Sequence, residues 1–106
     1  MPSKYRAKPT IVDGIRFASQ AEARHDAELK LREKAGEIKN LELQPKFPLM
    51  VSGQKVGTYI ADFRYREGPK GVLRVVDVKG YDLPLGKWKR KHTEAQYGIT
   101  ITLVKR

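Results

Sequence analysis

The chain has 106 residues, enough for one core, and carries 22 Lys and Arg against 12 Asp and Glu, a formal charge of +10. There is no cysteine and only two histidines, His25 and His92, which excludes disulfides, thiolate chemistry and Cys/His zinc sites and leaves a hard, oxygen-bound cation such as Mg²⁺ or Mn²⁺ as the metal to consider. The charge favours a polyanionic partner, nucleic acid first and an anionic membrane surface second. No apolar run reaches the roughly 18 residues of a membrane-spanning helix.

Residues 1–10 hold Lys4, Arg6 and Lys8 with two prolines and no periodicity, and read as a flexible basic arm that either frays or touches phosphate. No apolar stretch follows these charges, so a secretory signal is not expected and a cytoplasmic location is. Residues 11–106 read as a single domain. It opens with two short apolar pieces joined by Asp13-Gly14, a hairpin signal. Ser19-Gln20-Ala21-Glu22 is a capping box that predicts a helix from about Gln20 to Ala35, with Gly36 just beyond its end. Ala23, Ala27 and Leu31 make one packing stripe of that helix, while Glu22, Asp26 and Leu29 lie on another face. Glu22 has two roles open to it, a capping glutamate or a carboxylate aimed into a cleft.

Leu41 and Leu43 alternate as in a strand, and Pro45 and Pro48 then restrict the path to an edge or an irregular extension. After a turn at Ser52-Gly53-Gln54-Lys55, Val56 to Arg66 reads as one strand. Tyr59, Ala61, Phe63 and Tyr65 share one face; Thr58, Ile60, Asp62 and Arg64 share the other. Asp62 sits in the middle of an aromatic run where Asp is disfavoured, so it needs either a solvated face or a function.

Val72 to Gly80 is a second strand, reached by a hairpin-length loop, and therefore an antiparallel neighbour of the first. Leu73, Val75, Asp77 and Lys79 share a face, so a carboxylate and an ammonium point the same way from an apolar strand. Unpaired charges are costly to bury, which places both at an open strand end, in a cleft or beside a cation. A strand-end ion pair is the plainer reading of the same two residues. Asp62 and Asp77 can lie on one side of the ribbon.

A loop leads to a basic helix from Lys87 to Tyr97 ending at Gly98, with Lys87, Lys89, Arg90 and Lys91 as a solvated face or as phosphate contacts, and Trp88 as a packing anchor before a stacking platform for a base or sugar. Ile99 to Val104 alternates cleanly and closes the chain as a strand with one covered face.

The motifs D-G-I-R-F-A-S-Q-A-E-A-R, L-Q-P-K-F, Y-I-A-D-F-R-Y, V-V-D-V-K-G and E-A-Q-Y-G-I, spread from about Val12 to Val104, make the sequence resemble the PD-(D/E)XK nuclease superfamily. The likeness is to a small, phage-associated, Holliday-junction-resolvase-like branch. Ala61 stands where that pattern usually has proline, and Asp77 where it often has glutamate. The resemblance implies an α+β fold, a restriction-endonuclease-like α-β-β-β-α-β core with a mixed sheet flanked by helices. It implies Mg²⁺-dependent hydrolysis of DNA phosphodiester bonds, with Mn²⁺ as a substitute metal, on branched or junction DNA, in the cytoplasm of a bacterium or phage-infected host. Carried over by motif, Asp62 and Asp77 are metal ligands with the Val78 carbonyl, Lys79 is the catalytic lysine, Glu22 completes the acidic cluster, and Gln44 is a supporting residue. Two symmetric cuts in a junction imply a homodimer. The alternative is a non-catalytic basic nucleic-acid-binding module, and a third option is a structural protein on ribosomal RNA, which accounts for the charge but not for the acids.

Overall fold

The computed structural model describes residues 10–12, 15–17, 19–80 and 82–105. The Lys4, Arg6 and Lys8 arm and the Asp13-Gly14 turn lie outside them. Strands β1 (Thr10–Val12) and β2 (Ile15–Phe17) pair antiparallel as the expected hairpin.

Helix α1 (Gln20–Lys34) starts where the capping signal predicts, with Ser19 Oγ accepting the Glu22 amide at 3.1 Å. It stops at Gly36, whose φ of 83° favours glycine, and the Glu37 and Gly36 amides return to the Arg32 and Glu33 carbonyls. The predicted packing stripe is corrected by the structure. Leu31 is 69% exposed and Ala27 is exposed, while Glu22, Ala23, Asp26 and Leu29 are buried. The helix therefore lays its acid-bearing face on the sheet.

Four strands form a mixed sheet in the order β3 (Ile38–Leu43), β6 (Phe63–Glu67), β7 (Val72–Lys79), β8 (Ile101–Lys105). The β3–β6 and β6–β7 pairs are antiparallel; β7 and β8 are parallel, bridged by α2 (Pro84–Tyr97). Among the described residues the protein is thus α+β, with a mixed sheet and two helices. Among the described residues no helix is long and apolar enough to cross a membrane. A second hairpin, β4 (Lys46–Val51) with β5 (Gln54–Ile60), turns at Ser52-Gly53, both at positive φ. Pro48 lies in β4, an outer strand of this two-stranded unit, where a missing amide is tolerated.

One expectation fails in an informative way. Val56 to Arg66 is not one strand: β5 and β6 are separated by a bend at Ala61-Asp62. The facing chain bends at the same level, at Gln44-Pro45, where Gln44 takes φ 54°. That left-handed conformation carries a strain of about 1 kcal/mol or more for a non-glycine residue. The ladder survives the bend through Gln44 N to Asp62 O (2.9 Å) and Ala61 N to Pro45 O (3.1 Å). As a result, the residues expected on one face divide between two cores. Phe63 and Tyr65 join Ala23, Leu29, Ile38, Val76 and Val78 beneath α1. Tyr59 and Ala61 join Phe47, Leu49, Val75 and Ile101 on the opposite side.

Leu29 is 1% exposed and is the largest α1 side chain in the first of these cores. Leu29→Ala is expected to destabilise the fold by about 3 kcal/mol through lost transfer energy and a residual cavity. Urea unfolding with an unchanged m-value checks it; a loss below ~1 kcal/mol would mean that α1 is not anchored there.

Candidate active site

The bend puts Asp62 at the mouth of the β6–β7 ribbon. Phe63 pairs with Val76, so the next position out, Asp62, faces Asp77. Three hydrogen bonds fix Asp62. Its amide donates to Val76 O (3.1 Å), its carbonyl accepts from Gln44, and its Oδ2 accepts the Val78 amide at 2.6 Å. In a continuing ladder the residue opposite Val78 would be Ala61, but the bend turns Ala61 to Pro45, and the Asp62 carboxylate serves the Val78 amide instead.

Asp77 is fully buried. Its Oδ2 accepts a 2.6 Å hydrogen bond from the Tyr59 hydroxyl. Its Oδ1 has no hydrogen-bond partner and lies 3.5 Å from Lys79 Nζ. Lys79, at the last position of β7, is the exposed end of this set, with 36% of its side chain in solvent. Glu22 on the first turn of α1 is 3% exposed. Burial, then the neighbouring Asp77 carboxyl, and finally the charge of Glu22, push the Asp62 carboxyl up from 3.8 to about 8, against the pull of the Val78 amide. Burial, followed by the bond to Asp77, raises the Tyr59 phenol, so it remains a neutral donor.

Two carboxyls crowded at one strand end, one with a buried orphan oxygen, match what a divalent cation relieves. Among the described residues no three His, Asp or Glu side chains form a ready metal cage. Mg²⁺ does not require one, because it is commonly held by one or two carboxylates, with water and substrate phosphate filling the rest.

The family model that matches this chain is described as a protein of unknown function (DUF1064), and the match covers residues 2–105. The chain belongs to that family. No curated protein and no solved structure matches it.

In this DUF1064 chain the other expected site residues fall as follows. Gln44 is an exposed residue whose backbone, not its side chain, reaches Asp62. The four cations of α2 do not form one face, because successive helix residues are rotated by ~100°. Lys87 and Lys91 are exposed and Lys89 is half-buried. Arg90 turns inward, with 11% of its side chain exposed, and grips Asp82 through both guanidinium nitrogens at 2.8 and 2.5 Å. That pair holds the Asp82 carboxyl below its usual range. Trp88, expected to anchor packing, is instead 55% exposed and meets His92 edge-on at 5.4 Å. The C-terminal part of α2 is tied to β4 by Gln96 and Tyr97, which both donate to Pro48 O, and by His92, whose Nε2 lies 3.2 Å from Met50 O.

Sequence reasoning gives no site role to Tyr59, Asp26, Asp82 or Lys105. Tyr59 reads only as a packing residue. Asp26, which its i, i+4 spacing places on the Glu22 face, is fully buried one helical turn after Glu22 and pairs with Lys30 Nζ at 2.8 Å. Asp82 and Lys105 become meaningful only through contacts that no local pattern encodes. A surface depression of about 580 Å³ lies elsewhere, between Arg32, Lys39, Arg66 and Glu67. Arg32 and Glu67 already pair with each other there, and Arg74 joins them. Its two acids, Glu37 and Glu67, are both paired with Arg32.

Proposed function

We propose that this protein is a metal-dependent endonuclease that hydrolyses DNA phosphodiester bonds, acting on branched DNA as a homodimer. The observation that carries the reading is the meeting of Asp62 and Asp77 beside Lys79 at the open end of β7 on a protein of charge +10. The order α1, β3, β6, β7, α2, β8, with the last two strands parallel, agrees with a restriction-endonuclease-like core.

In this reading Asp62 and Asp77 would hold Mg²⁺, with Glu22 behind them and the Val78 carbonyl as a further oxygen donor. Such a metal would supply charge neutralisation at the phosphoryl group and a more acidic water. Lys79 would orient that water or stabilise charge developing on the phosphate oxygens. Tyr59 fixes the rotation of the Asp77 carboxylate so that Oδ1 faces the Lys79 ammonium, with no hydrogen bond of its own. Tyr59→Phe is therefore expected to weaken Mg²⁺ binding about 10-fold, the effect of losing a partner that orients a metal ligand. Calorimetric titration with Mg²⁺ measures this directly, and unchanged affinity would remove Tyr59 from the site.

The deciding experiment offers a labelled four-way junction, a matched duplex and a single strand to the wild type and to Asp77→Asn, with Mg²⁺ or EDTA. Mg²⁺-dependent cuts near the branch point, lost in the variant, are the expected result. Cutting of all three substrates would keep the chemistry and discard the junction preference. Binding without cleavage in either Mg²⁺ or Mn²⁺ would leave a basic nucleic-acid-binding module.

A further inference from the structure

Two shallow depressions meet at Lys79. One, about 280 Å³, is lined by Lys79, Gly80, Asp82, Lys87 and Lys105. The other, about 220 Å³, is lined by Lys79, Asp82, Leu83, Leu85, Gly86 and Lys89. Lys79 and Lys105 are register partners on the parallel strands β7 and β8, so two ammonium side chains leave the sheet edge side by side. Asp82, the one acid among the described residues of either wall, is already paired with Arg90. The first depression is therefore cationic. The second is rimmed by Leu83 and Leu85, 46% and 63% exposed; Trp88, 55% exposed, lies one helical turn beyond Leu85 on α2. Three large exposed apolar side chains within about one turn and a half, beside a cationic depression, suit a binding surface.

We propose that these depressions form the substrate groove for a DNA strand carrying an unpaired base next to the reacting phosphate, with Lys105 and Lys87 on the backbone phosphates and Trp88 with Leu85 against the face of the base. The identity of the ligand rests on the nuclease reading above; the groove deepens that reading by naming the substrate class. The charge selects a polyanion. The indole selects among polyanions, because a fully stacked duplex keeps its base faces covered, whereas a flap, an unpaired branch point or a single strand exposes them. The edge contact with His92 holds the ring at a defined angle.

Trp88 is the only tryptophan in the sequence, so indole fluorescence reports on this position alone. The full chain is titrated in EDTA with an oligo-dT strand, a duplex bearing an oligo-dT flap, and a blunt duplex. Quenching by the first two and not by the third is expected. Followed by anisotropy of labelled DNA, Trp88→Ala is expected to weaken flap binding about 10-fold, with blunt-duplex binding unchanged and Trp88→Phe largely restoring the flap. Lys105→Ala should reduce the slope of log affinity against log salt by about one. Equal affinity for flap and blunt duplex with an unquenched indole overturns the proposal. So does an indole emission maximum that shifts with protein concentration without DNA, which would mean that a second copy covers the patch. Cleavage with Mg²⁺ is assayed separately. Cleavage without quenching leaves the nuclease reading standing and removes the groove; quenching without cleavage in any metal does the reverse.

Discussion

Replacing Asp77 with asparagine is expected to lower Mg²⁺-dependent cleavage by at least about 10³-fold while leaving DNA binding within roughly two-fold. A thousandfold corresponds to ~4 kcal/mol of transition-state stabilisation, the scale expected when a positioned metal is lost. Asparagine is the informative substitution because of what surrounds the site. Asp77 is fully buried and accepts the Tyr59 hydroxyl. Alanine there would strand that hydroxyl without an acceptor and open a cavity, a cost of about 1–3 kcal/mol or more that has nothing to do with catalysis. Asparagine keeps the volume and an acceptor oxygen for Tyr59, removes the negative charge and replaces the second oxygen with an NH₂ group. A melting temperature close to wild type, with cleavage lost and DNA binding retained, is the expected set of results. Cleavage within ten-fold of wild type would exclude Asp77 as a metal ligand.

The second large effect concerns pH. Asp62 is pushed up from 3.8 to about 8 in the metal-free fold, burial being the first cause and the Asp77 carboxyl the next. Between those two values the folded protein holds a proton that the unfolded chain has released. Stability from this group is therefore complete below about pH 4, falls as pH rises, and is lost above about pH 8. In EDTA, wild-type stability should decline between pH 5 and pH 8.5. Asp62→Asn should flatten that decline and exceed wild type at pH 8.5 by on the order of 2 kcal/mol, or roughly 10 °C in Tm. Asparagine can still accept the Val78 amide and sets an N–H donor toward Asp77 in place of a second acid. Mg²⁺ should act in the same direction in the wild type, binding more tightly as pH rises toward 8 and releasing a proton as it binds. Parallel pH profiles for wild type and Asp62→Asn would show that Asp62 ionises normally and that the two carboxyls are not crowded.

Much of this architecture is legible locally. Ser19, Glu22 and Gly36 mark both ends of α1 because capping depends on neighbours three or four residues away. Gly98, at φ 65°, ends α2 for the same reason. Ser52-Gly53 forms its turn, and the alternation of Val75 to Lys79 correctly separates the two faces of β7, with Val76 and Val78 in one core and Val75 in the other. The candidate acids were legible too, since a charge inside an apolar strand is a local anomaly.

What the sequence could not supply follows from contacts between distant segments. The face of α1 that packs is chosen by the sheet: Leu29 fits beneath it and Leu31 does not, although both suit a helix stripe. The bend at Ala61-Asp62 depends on Gln44 and Pro45, some seventeen residues away along the chain, and a pattern of alternating residues carries no record of a partner strand's strain. Register across β7 and β8 is what sets Lys105 beside Lys79, and only the packing of α2 decides that Arg90 turns inward while Trp88 turns out. The sequence alone determined which residues are anomalous enough to need a site, because burial cost is a property of the residue type and its immediate neighbours. The tertiary structure decided which of them meet, because hydrogen-bond register and core packing are settled between segments and have no local signature.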